Sequence, residues 1–110
     1  MNESMLLEQR RQARAAKHLA DSALLDLHRK AANALLATEE GAQVRERALR
    51  QVEKWHRQHL CNPRYVQAWR NILDLPVASI PAAMLREDAE GVALRQNSPF
   101  GFMLNEAAAA

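Results

Sequence analysis

The sequence contains few cysteines and glycines, and each of these two shortages excludes a structural feature. Cys61 is the only cysteine among 110 residues, so an intrachain disulfide is impossible and a reducing compartment is expected. The three glycines are isolated, so the chain has no glycine-rich phosphate-binding loop. The first residues lack the apolar core of a signal peptide, and no apolar run is long enough to span a membrane. These absences predict a cytoplasmic protein.

Strand signals are also missing, because no stretch alternates apolar and polar residues over several β-branched positions. Alanine, leucine, arginine, glutamine and glutamate are frequent instead, and these residues lose little side-chain freedom in a helix. A chain of 110 residues has room for one domain. The sequence therefore predicts a single all-α domain over residues 1–104 and a disordered tail at 105–110.

The first predicted helix is long for so short a chain. No glycine or proline occurs between Glu3 and Gly41, and helical periodicity continues to about Thr38. About 35 residues at ~1.5 Å rise make a rod of roughly 50 Å, whereas a compact chain of this length has a diameter near ~35 Å. Either the helix breaks near Asp21 and Ser22, or it extends past its own domain and meets another chain. The second alternative is favoured.

An apolar stripe follows this helix at steps of three, four and seven residues. The stripe is thin, because most of its members are alanine, and thin stripes allow close approach between helices. Leu27 is one of its bulky members, and a second ridge beside the stripe carries Leu24, Ala31 and Leu35. The members of the stripe are Leu6, Ala13, Ala16, Ala20, Ala23, Leu27, Ala34 and Ala37.

The remaining sequence predicts shorter helices that follow the long one. Asn62 and Pro63 form a start signal, since asparagine caps a helix and proline fits its first turn. Ser79 and Asp88 are further capping residues. The predicted architecture is a long N-terminal helix (1–40) packed antiparallel on a second helix (42–60), then three short helices (63–97) and an apolar C-terminal tail (98–104).

The sequence offers one candidate for a metal-binding or catalytic cluster, formed by His56, His59 and Cys61. Two histidines three residues apart can share a helical face, but a structural zinc site needs a fourth ligand, and none follows at a suitable spacing. A cysteine nucleophile needs a base and a third group that orients it, and a helix would point His59 away from Cys61. The sequence therefore predicts no enzyme, no metal, no cofactor and no small-molecule substrate.

Four cations on the second helix step by three, four and three residues and so share one face. These are Arg47, Arg50, Lys54 and Arg57. Glu46 and Glu53 are spaced to pair with Arg50 and Arg57, which favours a solvated surface. An acidic protein or a nucleic acid is the alternative occupant of this face.

The favoured function is non-catalytic protein–protein interaction, as a regulatory accessory protein, of which an antitoxin-like form is one example. The partner is another protein or a second copy of the chain, bound by Leu24, Leu27 and Leu35 of the long helix. The apolar C-terminal tail at 98–104, which we call the arm, supplies Phe100, Phe102 and Leu104. These side chains either dock on a partner or close the chain's own groove between helices three and four. The alternative function is a nucleic-acid-binding accessory protein that uses the four cations of the second helix.

Overall fold

The structure is a computed structural model that describes residues 3–104, and no strand occurs among them. The all-α class is therefore confirmed. The predicted disordered tail at 105–110 lies outside the described residues. The helices are α1 (Glu3–Leu36), α2 (Glu40–Gln58), α3 (Pro63–Leu73), α4 (Ile80–Met84) and α5 (Ala89–Gln96), with a short 3-10 turn at Val77–Ser79.

Helix α1 is unbroken over 34 residues, and nothing interrupts it at Asp21 or Ser22. The molecule measures 57 × 31 × 27 Å, and its radius of gyration is 16.4 Å. A compact chain of this size would have a radius of gyration near ~13 Å. The excess length follows from α1, because the body that packs against it covers only the second half of the helix.

The turn between α1 and α2 brings the two helices into close approach. A Cβ atom on Gly41 would lie 2.3 Å from the carbonyl oxygen of Leu35, so only glycine fits there. The amide of Gly41 donates to the carbonyl of Ala37 at 3.0 Å. Helix α2 therefore begins at Glu40 and includes this glycine, two residues earlier than the predicted start at Ala42.

The core lies where α3, α4 and α5 meet the second half of α1 and the inner face of α2. Trp69 is its largest side chain and is fully buried, and its indole N–H donates to the carbonyl of Asn97 at 2.8 Å. Asn62 caps α3 by accepting from the amide of Arg64 at 2.9 Å, and Asp88 caps α5 by accepting from that of Gly91. Both capping residues were predicted from the sequence.

The apolar arm folds back onto its own chain at Phe100, which is fully buried. Its ring meets the rings of Trp69 and His28 edge to face, with centroids 5.7 and 5.8 Å apart. The ring therefore contacts α1 and α3, whereas the sequence predicted that it fills a groove between the third and fourth helices.

His28 forms one hydrogen bond within α1 and a second one to the arm. Its Nδ1 lies 2.6 Å from the carbonyl oxygen of Leu24, so Nδ1 carries the hydrogen, and its Nε2 accepts from the Ser98 hydroxyl at 2.6 Å. The Ser98 oxygen accepts in turn from the amide of Phe100 at 3.0 Å. Burial lowers the pKa of His28 below 6.5, and the nearby Arg95 lowers this pKa further, against the opposing effect of the Leu24 bond. Folding therefore favours the neutral form of this histidine.

Candidate functional site

The most conspicuous surface is the first half of α1, residues 3–20, which we call the α1 projection. Each of these eighteen residues is exposed, whereas Leu27, Ala31 and Leu35 of the same helix are buried. Leucines remain uncovered on the projection, and Leu19 is 69% exposed. The projection is therefore a helix that the described residues leave exposed.

One side of the α1 projection is free of charge and has small side chains. Leu6, Ala13, Ala16 and Ala20 lie within about one quarter of the helix circumference at 100° per residue. The stripe continues into Leu27, which is buried by its own domain. The chain thus covers one end of an apolar stripe and leaves the other end, which Gln9 interrupts, exposed.

Cations border this stripe along one edge. Arg10, Arg14 and Lys17 follow it in the direction of increasing angle, and each is exposed. Lys17 lies 3.7 Å from Asp21, while Arg11, on another side of the helix, forms an ion pair of 2.6 Å with Glu8. The bare stripe is therefore apolar with a basic margin.

The predicted partner-binding residues occupy other positions. Leu27, Leu35 and Phe100 are buried by their own chain, and Leu24 and Phe102 are half-buried. Leu104 is 56% exposed. In this conformation a partner can reach Leu104 and parts of Leu24 and Phe102, but not the other three.

The four cations of α2 lie together on its outer face, which we call the cationic face, and all four are exposed. The predicted pair between Glu53 and Arg57 is not formed. Glu53 instead accepts two hydrogen bonds from Arg70 of α3, at 2.7 and 2.6 Å. These bonds lower the pKa of Glu53 and raise that of Arg70, as expected for a bidentate pair. Glu53, the candidate counterion of Arg57, is therefore paired with a cation of α3.

Phe102 borders the cationic face from the arm. Its ring centroid lies 4.2 Å from the guanidinium carbon of Arg47, a cation–π contact. The ring also contacts Phe100, with centroids 6.2 Å apart, which ties it to the core. Phe102 and five polar residues line a shallow depression of about 460 Å³: Arg47, Arg50, Gln51, Lys54 and Arg57.

His56, His59 and Cys61 line a separate pocket of about 270 Å³ together with Trp55, Pro63 and Val66. His59 ends α2 in the left-handed conformation, with φ of 54°. Over residues 3–104, no three histidine, cysteine or acidic side chains are grouped so as to hold a metal ion. The geometry gives this pocket no assignable chemistry.

Within the described part of the chain, no helix is both long and apolar enough to cross a membrane. No protein-family model, curated protein or solved structure matches the chain. Any functional assignment therefore depends on the surfaces described above.

Sequence reasoning identified the long helix, but the residues that it predicted for partner binding on this helix lie in the packed half. A distinguishing signal lies in the size of the side chains. From Leu24 onward the apolar positions of α1 include five leucines, which a domain needs for its own core, whereas alanine predominates from Ala13 to Ala23. The contact between Glu53 and Arg70 carries no comparable signal, because it joins residues 17 positions apart on different helices.

Proposed function

We propose that this chain is a non-catalytic binding protein that captures a helix of another protein on its α1 projection. The observation that carries the proposal is the exposure of every residue from 3 to 20 in a helix that is continuous with the core. In proteins most of the stability of a helix comes from tertiary packing of one face rather than from helix propensity. A partner that packs against the projection would cover a surface that the described residues leave exposed.

The small side chains of the stripe determine what can bind. Ala13, Ala16 and Ala20 let a second helix approach closely, and Leu6 provides a larger apolar contact. Eighteen residues offer about 27 Å of helix for this packing. The shape fits a helical partner laid along the projection, a recurring mode of protein recognition.

The charge of the projection favours a partner of opposite sign. Residues 3–20 contain four cations (Arg10, Arg11, Arg14 and Lys17) and two acids (Glu3 and Glu8). Two copies of this segment would repel each other, whereas acidic side chains at the edge of a partner helix would meet Arg10 and Lys17. Inhibition of a partner enzyme, as by an antitoxin, is one form that such a regulatory protein can take.

Site-specific photocrosslinking in the native cell tests this proposal. A photoreactive amino acid is placed at Ala13 or Ala16 on the stripe, and at Ala15 as the matched control, because Ala15 is also an exposed alanine of the projection but points away from the stripe. We expect adducts with one protein from the first two positions and not from the third. Equal yields from Ala15, or adducts only between copies of this chain, would contradict the proposal.

A charge-reversal experiment tests the predicted acidity of the partner. The double variant Arg10→Glu and Lys17→Glu should abolish the adduct, whereas Arg29→Glu and Lys30→Glu, which change the same charges on the packed half, should leave it intact. Both pairs are exposed, so circular dichroism and the melting temperature should change little. If both variants retain the adduct, the partner is not selected by charge.

A further inference from the structure

We infer that the cationic face of α2, together with Phe102, binds the phosphate backbone of a single-stranded nucleic acid. The site is separate from the α1 projection, and the inference does not depend on the function proposed above. Its basis is the arrangement of cations, carboxylates and one aromatic ring on α2, α3 and the arm.

The cations of this face are only partly compensated. Among residues 3–104, Arg50, Lys54 and Arg57 form no ion pair, and the exposed Glu46 does not pair with Arg50. Glu53, which the spacing offers to Arg57, forms its ion pair with Arg70 and attracts Arg57 only at longer range. From Arg47 to Arg57 the row spans ten residues, or about 15 Å of helix. A row of this kind attracts a ligand that carries several negative charges in a line.

The chemistry of the depression favours nucleic acid over an acidic protein surface. The buried centre of a protein interface is depleted in charged residues and rich in apolar ones. Of the described residues that line the depression, only Phe102 is apolar, and four of the other five carry a positive charge. Three of these are arginines, whose planar guanidinium groups contact phosphate oxygens through two parallel hydrogen bonds.

Phe102 favours a single strand over a duplex. Its ring is half-buried, anchored by Phe100 and positioned beside Arg47, so it lies at the margin of the cation row. Aromatic rings beside a basic groove stack with unpaired bases, and this stacking tolerates any sequence. In a duplex the bases are already stacked and paired, so the ring would contribute little.

Fluorescence anisotropy with labelled single-stranded oligonucleotides, one DNA and one RNA of about 16 nucleotides, tests the inference. If Arg50, Lys54 and Arg57 neutralise three phosphates, the slope of log affinity against log salt concentration should be about −2. Binding should then be roughly 15-fold weaker at 200 mM than at 50 mM salt. The triple variant Arg50→Gln, Lys54→Gln and Arg57→Gln should lose most of this slope and bind more than about tenfold more weakly. The control variant Arg29→Gln, Lys30→Gln and Arg86→Gln removes the same charge elsewhere and should bind as the parent does.

Two further measurements separate stacking from charge. Phe102→Leu keeps an apolar contact with the core and should weaken binding about fivefold or more without changing the salt slope. Polyglutamate should compete poorly with the oligonucleotide. Absence of saturable binding at low salt, equal losses in the two triple variants, or competition by polyglutamate at equal charge would overturn the inference. A duplex that binds as tightly as the single strand would overturn the assignment to unpaired bases.

Discussion

The two halves of α1 share one helix and one apolar stripe but differ in what surrounds them. In the second half, α2, α4 and α5 pack against the helix, and Ala31 and Ala32 are buried beside the leucines. In the first half, no residue from 3 to 20 is buried or even half-buried. The comparison shows that helical continuity and tertiary packing are separate properties, because the same element has the first throughout and the second over only part of its length.

Local interactions account for the helix in the first half. Alanine, leucine, arginine and glutamine favour helix, and neither glycine nor proline interrupts the segment. Glu8 accepts hydrogen bonds from Arg11 and Gln12, one turn further along. Pairs of this kind each stabilise a helix by only about 0.2–0.5 kcal/mol. The second half is stabilised by its contacts with the core, so the two halves should respond differently to every perturbation below.

The largest difference is expected in amide hydrogen exchange. Amides of residues 27–35 can exchange only when the domain unfolds, whereas those of residues 6–18 exchange when the helix frays locally. We expect the first half to exchange more than about a thousandfold faster than the second. Mass spectrometry of peptides from the two halves measures this ratio. Similar protection in both would show that the α1 projection is already covered, for example by a second copy of the chain.

A matched pair of leucine substitutions gives the next largest effect. Leu35 is 3% exposed, so Leu35→Ala should lower the free energy of unfolding by about 2–5 kcal/mol, through lost burial and the cavity left behind. Leu19→Ala, which removes the same atoms from an exposed position, should change it by less than about 0.5 kcal/mol. Urea titration measures both values. Equal losses would mean that Leu19 is packed in solution.

The smallest effect concerns pH and the two histidines of α1. Because burial lowers the pKa of His28 below 6.5, the unfolded chain binds the proton at a higher pH than the folded chain does. The stabilising contribution is therefore complete above pH 6.5 and decreases as the pH falls from 6.5 toward the pKa of the folded chain. Thermal melts over this interval should show the decrease. The variant His28→Gln should show less of it, whereas His18→Gln, which changes an exposed histidine of the α1 projection, should retain it. A pH dependence that survives in His28→Gln would assign the effect to another group.

Much of the fold could be predicted because its signals are local. Asn62 with Pro63 and Asp88 each mark a helix start through a side chain and a few following residues. The absence of glycine and proline before Gly41 predicts the length of α1. These features need no knowledge of distant parts of the chain.

The contacts that define the surfaces could not be predicted, because they join distant residues. His28 and Ser98 are 70 positions apart, and their hydrogen bond fixes which residues of the arm are buried. Arg95 is another example, since its side chain is buried and donates to the carbonyls of Met84 and Arg86, 11 and 9 positions earlier. The charge pattern around α2 likewise depends on Arg70, whose packing against Glu53 is a tertiary event.

The unbroken course of α1 also has a mechanical consequence. Without glycine, proline or a distorted turn between residues 3 and 36, the helix has no hinge at which its two halves can swivel. A partner bound to the outer end would therefore be held at a fixed distance and angle from the packed domain and from anything bound on α2. The helix would serve as a stiff spacer, so that inserting one residue near Ser22 should rotate the bound partner by about 100° around the helix axis.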